Sequence, residues 1–223
     1  MTRTVIYSCL LGDYDELEPL QFDGVEAYCF TDRPRQVDGW KCVNIEAKYE
    51  SIDQRIRQCR MFKMLSHRVL PPHDCSIWID CSLRWIQNPL NLVDHVANAE
   101  MATFKYPSTF GPRNCLYKEA EACVSRCKDN SDVINAQIDR YRKEGFPENS
   151  GLVETSIVVR RCTDAIKRFN ELWWRELFCG SRRDQLSFNY VASKIRQSYR
   201  HIPGSRVSNE YTEWRQHNED VYT

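Results

Sequence analysis

The chain has 223 residues, of which 42% are hydrophobic and 28% charged, and its 31 basic residues balance 31 acidic ones. This length and composition suffice for a normal core and are typical of one domain. The zero net charge excludes a global electrostatic attraction to nucleic acid or anionic membrane, so any anion site must be local. The first apolar run is too short for a signal peptide, and no apolar stretch reaches membrane-spanning length. We therefore expect a cytoplasmic protein.

The eleven cysteines favour reduced thiols over disulfides. Their number is odd, no export signal accompanies them, and Cys9, Cys29 and Cys75 lie inside apolar strand-like runs as small hydrophobic residues. Cys123 and Cys127 have a helical i, i+4 spacing, but no second pair of ligands with zinc-site spacing is present. A structural metal is therefore the less favoured interpretation.

Strand-like segments dominate the first half of the chain, and helices and one strand follow in the second half. The strands predicted from apolar and β-branched runs are residues 4–11, 25–31, 40–45, 76–79, 101–106 and 151–159. The predicted helices are residues 51–70, 89–98, 113–128, 132–144, 164–178 and 184–194. Residues 199–223 are polar and are expected to pack along the surface or to be partly disordered. This order predicts a single-domain α/β fold with a sheet flanked by helices.

Acidic residues follow several of the predicted strands. Gly12 and Asp13 come after the first strand, Asp32 after the second, and Asp80 directly after the buried run at residues 76–79. In an open α/β sheet, ligands bind beyond the carboxyl ends of the strands. Carboxylates gathered there can hold ribose hydroxyls or a divalent cation. The alternative for Asp80 is a structural role in capping the next turn.

The predicted helix at residues 51–70 is strongly basic. Arg60 and Lys63 have i, i+3 spacing and can point to one place, where they would contact a diphosphate. The alternative is a solvated cationic face. No G-x-G-x-x-G segment follows the first strand and no P-loop occurs, which disfavours a dinucleotide oxidoreductase and a P-loop kinase.

Two acids of the second half are candidate catalytic residues. Glu154 is embedded in an apolar strand and Asp184 begins a helix, and a buried carboxylate near an acceptor hydroxyl can act as a general base. Each has a structural alternative, since Glu154 could pair with an arginine and Asp184 could be an N-cap.

Three polar residues in the first part of the helix predicted at residues 113–128 are candidate acceptor contacts, or simply form the start of that helix: Asn114, Tyr117 and Glu119. His201 lies outside the apolar pattern, where a surface histidine is the default and a metal ligand the sharper hypothesis.

Several sequence blocks occur in the order expected of one known family. They are IYSCLLGDYDEL, YCFTD, a basic helix ending in HRVLP, SIWIDCSL, NCLYKEA, YRKEGFP, GLVETSIVVRR, WWREL and RRDQLSF. Together they resemble the glycosyltransferase-like family of bacteria, viruses and plants that was long catalogued as a domain of unknown function and whose plant members are mucilage-related. The resemblance covers roughly residues 4–194.

The resemblance implies a GT-A-like, Rossmann-type mixed sheet, with a nucleotide-sugar half at about residues 1–107 and an acceptor half at about 108–198. It implies a nucleoside diphosphate sugar as donor, with UDP as the expected nucleotide. Carried over block by block, the donor contacts are Gly12, Asp13, Tyr14, Asp32, Arg60, Lys63, Asp80 and Ser82. Asp184 and Gln185 resemble an Asp-Gln pair beside the reaction centre, with Gln185 on the acceptor side.

The resemblance also bears on a cofactor, a divalent manganese or magnesium ion. Asp80 corresponds to the family position of the Asp-x-Asp metal motif, and His201 to a C-terminal metal-binding motif. Asp80-Cys81-Ser82 has only one carboxylate, a departure that argues against strong metal dependence.

The predicted function is transfer of a hexosyl or pentosyl group to an acceptor hydroxyl. A glycan, a small molecule, a lipid or a hydroxymethylated base in DNA are the acceptors considered, although duplex DNA would favour a net basic domain. Two alternatives stay open, a non-catalytic nucleotide-sugar-binding module and a metal-binding regulatory protein that uses the cysteines.

Overall fold

A seven-stranded mixed sheet forms the centre of the protein, in a computed structural model that describes residues 2–13, 15–107 and 113–216. Its strands are β1 Thr4–Leu10, β2 Glu26–Thr31, β3 Lys41–Asn44, β4 Cys75–Ile79, β6 Met101–Lys105, β7 Val153–Arg161 and β8 Arg200–Ile202. Two further strands, β5 Leu83–Trp85 and β9 Thr212–Trp214, pair with each other in a separate ribbon. The strand order in the sheet is β3-β2-β1-β4-β7-β6-β8.

Helices cover the sheet. They are α1 Ile52–Met64, α2 Ser66–Val69, α3 Leu116–Ser125, α4 Ser131–Lys143, α5 Asp164–Cys179 and α6 Gln185–Lys194, with a 3-10 helix at Pro89–Val96. Strands β1 to β4 run parallel, and β7 is antiparallel to both of its neighbours, β4 and β6. This single α/β domain confirms the predicted fold class and is consistent with a GT-A-like fold. Among the described residues, no helix combines the length and the apolar character needed to cross a membrane.

The strand sequences explain why the sheet is central. All five residues of β4 are buried, as are the last six of β1, because both faces of the sheet are covered. Buried parallel strands read as continuous apolar runs for this reason. One apolar cluster lies between the sheet and the main helices, around Trp78, Phe169 and Trp173, and a second lies on the opposite face, around Ile77 and Phe104.

The helix predicted at residues 51–70 is interrupted at Leu65. It begins as expected, with the Ser51 side chain accepting a hydrogen bond from the Gln54 amide at 3.3 Å. At its end, the buried Arg160 guanidinium donates to the Lys63 and Met64 carbonyls at 2.6 and 3.1 Å. These carbonyls therefore accept hydrogen bonds from a side chain and not from the next turn of one continuous helix. The sequence pattern of residues 51–70 alone does not show this interruption.

The segment expected to be a polar tail differs from that expectation as far as residue 216. Strand β8 joins the sheet beside β6, and β9 pairs with β5. Ile202 and Tyr211 are buried and attach the segment to the second apolar cluster. Strands of three residues are too short to give a readable alternation, which explains the sequence interpretation.

A bulge in β7 shapes the edge of the sheet. Thr103 and Phe104 are neighbours on β6, yet they pair with Val158 and Glu154, so Thr155, Ser156 and Ile157 are extra on β7. The Thr103 hydroxyl lies 3.0 Å from the Glu154 carbonyl and 2.7 Å from the Ile157 carbonyl, and so bridges the bulge. Bulges re-aim side chains and are frequent beside active sites.

Candidate functional site

The carboxyl end of β4, the β7 bulge and helices α1, α3 and α6 enclose a cavity of about 760 Å³. Volumes of this size accommodate small-molecule ligands and cofactors. Eight of the predicted site residues line it: Arg60, Lys63, Asp80, Ser82, Glu119, Glu154, Asp184 and Gln185.

Asp80 projects from a tight turn that joins β4 to β5. Its backbone amide donates to the Ser156 carbonyl on β7 at 2.9 Å, and its carbonyl accepts from the Leu83 amide at 3.0 Å. The Trp78 indole donates to Asp80 Oδ1 at 2.7 Å, which fixes the carboxylate orientation. Ser82 lies in the same turn. The structure therefore holds Asp80 rigidly at the cavity, with a side chain that is 28% exposed.

Lys63 is the most deeply buried cation of the site, with a side chain that is 0% exposed. Its ammonium lies 2.6 Å from Asp184 Oδ2, 3.1 Å from the Thr155 hydroxyl and 3.5 Å from Asp80 Oδ1. The Thr155 hydroxyl also donates to Asp184 Oδ2 at 2.8 Å. The ammonium thus lies between the two carboxylates and contacts both.

Arg60 lies on the same helix and approaches the same two acids. Its guanidinium nitrogens are 3.6 Å from Asp80 Oδ1 and 3.7 Å from Asp184 Oδ2. Burial alone would raise the pKa of Asp184, but the Arg60 and Lys63 charges outweigh it and hold the pKa below its ordinary value of 3.8. Asp184 is therefore a stable anion that is 4% exposed, and it is a weak base.

Glu154 has the opposite electrostatic character. Burial raises its pKa, although the Arg206 amide and guanidinium contact its oxygens at 3.0 and 3.2 Å and oppose the shift. A carboxylate with a raised pKa is better matched to general base catalysis than one held ionised by close ion pairs.

The acids that follow the first two strands differ in their surroundings, since Asp32 accepts hydrogen bonds inside the protein and Asp13 is exposed. The Gly12 amide donates to the Asp32 carboxylate at 3.0 Å, and the Tyr49 hydroxyl also donates to Asp32. Asp13 pairs with Arg33 and Arg35 outside the cavity. Tyr14, the fourth residue predicted to contact the nucleoside, lies outside the described residues.

Two of the predicted acceptor contacts have structural roles and are not among the residues that line the cavity. The Tyr117 hydroxyl donates to the Phe146 carbonyl at 2.5 Å, and the Asn114 side-chain amide lies 3.4 Å from the Asn149 carbonyl. Glu119 does line the cavity and pairs with Arg113 at 3.0 Å. Gln185 donates to the Val153 carbonyl at 3.0 Å and accepts from Arg183.

His201 is exposed on the edge strand β8, where its ring contacts Tyr199 edge-on, and it is not among the cavity residues. Across residues 2–13, 15–107 and 113–216, no group of three His, Cys, Asp or Glu side chains is arranged to hold a metal ion. The structure thus does not bring Asp80 and His201 together.

The described cavity lining carries an excess of positive charge. Seven basic side chains face five carboxylates. Besides Arg60 and Lys63, the basic ones are Arg113, Arg126, Lys128, Arg183 and Arg206. Because the whole chain is neutral, this excess of positive charge is a local property of the cavity.

Sequence reasoning missed several residues of this site. The sequence predicts Trp78 and Thr155 only as residues of buried strands, and their polar atoms contact Asp80, Lys63 and Asp184 because β4 and the β7 bulge meet there. Arg206, the partner of Glu154, lies in the segment interpreted as a tail, so its sequence position carried no signal.

The chain is similar to known proteins over most of its length. The model of the TOD1/MUCI70, glycosyltransferase-like domain family matches residues 15–204. A probable hexosyltransferase MUCI70 from Arabidopsis thaliana is 29% identical over 147 residues, which are 62% of this chain and 25% of that protein. An alkaline ceramidase TOD1 from the same plant is 28% identical over 146 residues, 60% of this chain and 30% of its own length. The chain therefore spans between a quarter and a third of these relatives. Since the family model covers most of its residues, the chain belongs to the TOD1/MUCI70 glycosyltransferase-like domain family.

Proposed function

We propose that the protein transfers a hexosyl or pentosyl group from a nucleoside diphosphate sugar, with UDP as the nucleotide, to an acceptor hydroxyl. The observation that carries the proposal is the rigid Asp80 carboxylate at the carboxyl end of β4, which faces a cavity with an excess of basic side chains. A carboxylate can accept hydrogen bonds from sugar hydroxyls, and cations beside it can stabilise the departing diphosphate.

The donor half supplies the sugar and phosphate contacts in this proposal. It corresponds to about residues 1–107, with the acceptor half at about residues 108–198. Asp80 and Ser82 contact the sugar, while Gly12, Asp13, Tyr14 and Asp32 form the nucleoside end. This end opens once Asp32 exchanges its internal hydrogen bonds with Gly12 and Tyr49 for bonds to the base or ribose.

Glu154 is the proposed general base. The acceptor oxygen forms a bond to the anomeric carbon, its proton passes to the Glu154 carboxylate, and the bond from that carbon to the diphosphate oxygen breaks with its electron pair on the diphosphate. Asp184 acts as a positioning residue, because its contacts with Lys63 and Thr155 keep it ionised and hold the ammonium in place. Direct base catalysis of this kind predicts inversion at the anomeric carbon.

The charged lining favours a polar acceptor. The relative named an alkaline ceramidase carries a name that refers to a lipid substrate, yet the charged side chains that line this cavity, seven basic and five acidic, outnumber the apolar ones. Lipid sites are lined predominantly by apolar residues. A glycan or a small polar molecule fits this lining better, and a modified DNA base is the second acceptor to assay.

Thermal unfolding with a panel of nucleotide sugars tests the donor assignment. A donor present at about 100 times its Kd stabilises the folded protein by about 2.7 kcal/mol, which for a chain of this size raises the Tm by roughly 5–10 °C. Ceramide in detergent micelles is the matched comparison and should leave the Tm at the value in micelles alone. A shift with ceramide and none with any nucleotide sugar would refute the proposal.

A further inference from the structure

We infer that the Lys63 ammonium occupies the place of a divalent cation in this site, so that donor binding needs no metal. The inference rests on the proposed donor, and it concerns Asp80, the carboxylate that the family resemblance implies as a metal ligand. Its observations are the contacts of Lys63 and the charge of the cavity lining, as follows.

The oxygen environment of Lys63 resembles that of a bound cation. Three oxygens surround its ammonium, from Asp184 at 2.6 Å, Thr155 at 3.1 Å and Asp80 at 3.5 Å. Carboxylate and hydroxyl oxygens of this kind are ligands for Mg²⁺ or Mn²⁺ when no side-chain cation lies among them. Here the site contains its own positive charge, and its two acids are already neutralised by Lys63 and Arg60.

Movement of Lys63 out of this position is opposed by packing. The side chain is fully buried, its ammonium lies 5.7 Å from the centre of the Trp78 ring, and the helix carrying it is fixed by Arg160 and Tyr7, which donate to the Lys63 carbonyl at 2.6 and 2.7 Å. A metal ion would have to displace a buried cation from two carboxylates. The residues present therefore do not fit a metal at Asp80.

The remaining cations of the cavity can do the work that a metal does for a diphosphate. In the described lining, basic side chains outnumber carboxylates by seven to five. Arg60 and Lys63 balance Asp80 and Asp184, so the excess belongs to the other basic side chains of the lining, among them Arg126 and Arg183. That excess of two charges equals the two negative charges that a sugar diphosphate carries, and guanidinium groups bind phosphate oxygens well.

Titration of Mn²⁺ followed by electron paramagnetic resonance tests the inference without any enzyme assay. Wild-type protein should leave the free Mn²⁺ signal unchanged, whereas Lys63→Ala, which opens space between two carboxylates, should bind one equivalent. Lys63→Met removes the same charge but fills the space, and it should bind none. Adding Asp80→Asn to Lys63→Ala should weaken the new site by at least about tenfold.

Either of two results would overturn the inference. One is stoichiometric Mn²⁺ binding by the wild type that Asp80→Asn abolishes, and the other is a folded Lys63→Ala that binds no Mn²⁺.

A second measurement uses only wild-type protein and so does not depend on the folding of a variant. The Kd of UDP should be equal in EDTA and in Mn²⁺, and a Kd at least about tenfold lower in Mn²⁺, about 1.4 kcal/mol, would contradict the inference. Failure of UDP to bind in both buffers would count against the proposed donor, whereas the Mn²⁺ titration decides the role of Lys63 separately.

Discussion

The buried ion pair between Lys63 and Asp184 gives a quantitative prediction for Lys63→Met. Lys63 is 0% exposed and its ammonium lies 2.6 Å from an acid that is 4% exposed, so the substitution leaves a buried carboxylate without its closest cation. Removing one partner of a buried pair costs about 3–5 kcal/mol. Asp184 retains the Thr155 hydroxyl at 2.8 Å and Arg60 at 3.7 Å. We therefore expect the lower end of that range, about 3 kcal/mol.

Urea and thermal unfolding measure this effect. A loss of about 3 kcal/mol lowers the Tm of a chain this size by roughly 6–12 °C. The double variant Lys63→Met/Asp184→Asn should recover part of the loss, with a coupling energy of at least about 1 kcal/mol. Lys167→Met is the matched control, because it breaks an exposed pair with Asp164 at 2.9 Å and should not measurably change stability. Equal effects of Lys63→Met and Lys167→Met would refute the reasoning.

Three further predictions test separate parts of the structure. The lowered pKa of Asp184 stabilises the folded protein above about pH 4, and this stability is lost as the pH falls below the ordinary value of 3.8. In urea titrations, Asp184→Asn should therefore lose less stability between pH 4 and pH 2 than the wild type does. Trp78→Phe removes the indole donor to Asp80 and should lower kcat about tenfold, or about 1.4 kcal/mol, with a small change in KM. An unchanged kcat would show that this hydrogen bond does not orient Asp80. Gly39→Ala places a Cβ 2.0 Å from the Leu20 carbonyl oxygen, whereas the Cβ of Gly24→Ala, at a similar positive φ, meets no atom within 4 Å. Calorimetry should show a loss in unfolding free energy of about 1–2 kcal/mol for Gly24→Ala and a clearly larger one for Gly39→Ala.

Much of the fold could be predicted because it depends on local apolar patterns. Strands β1, β2 and β4 are buried runs bounded by turn residues, and α5 has a strong apolar face with Thr163 as its N-cap. The meeting of strand ends was also predictable, since parallel strands place their carboxyl ends at one edge, and the Gly12 amide does contact Asp32. The order of the family blocks supplied the fold type that these patterns leave open.

The remaining features depend on contacts that are distant in sequence. Arg160 donates hydrogen bonds at the end of α1 to Lys63 and Met64, almost one hundred positions earlier in the chain. No local sequence pattern predicts these contacts. The β7 bulge is a property of pairing between strands and is invisible in the β7 sequence alone. Arg60 and Lys63 were correctly placed together, but their balance by Asp80 and Asp184 required the three-dimensional arrangement.

The same distinction applies to the candidate site. Asp80 could be singled out because an apolar strand stops at a carboxylate, whereas the difference between Asp184 and Glu154 is electrostatic. Arg60 and Lys63 lower the pKa of Asp184, while burial raises that of Glu154. The sequence shows two acids in the second half, and only their surroundings distinguish the proposed positioning residue, Asp184, from the proposed base, Glu154.

Release of UDP from UDP-sugars is the measurement that tests the central claim most directly. Wild-type protein should release UDP from at least one donor, and Asp80→Asn should lower the rate by about a hundredfold, or about 2.7 kcal/mol. Asp23→Asn, at an exposed turn residue that precedes β2 and does not line the cavity, should match the wild type. Consumption of no nucleotide sugar by the wild type, or equal rates for Asp80→Asn and wild type, would contradict the account.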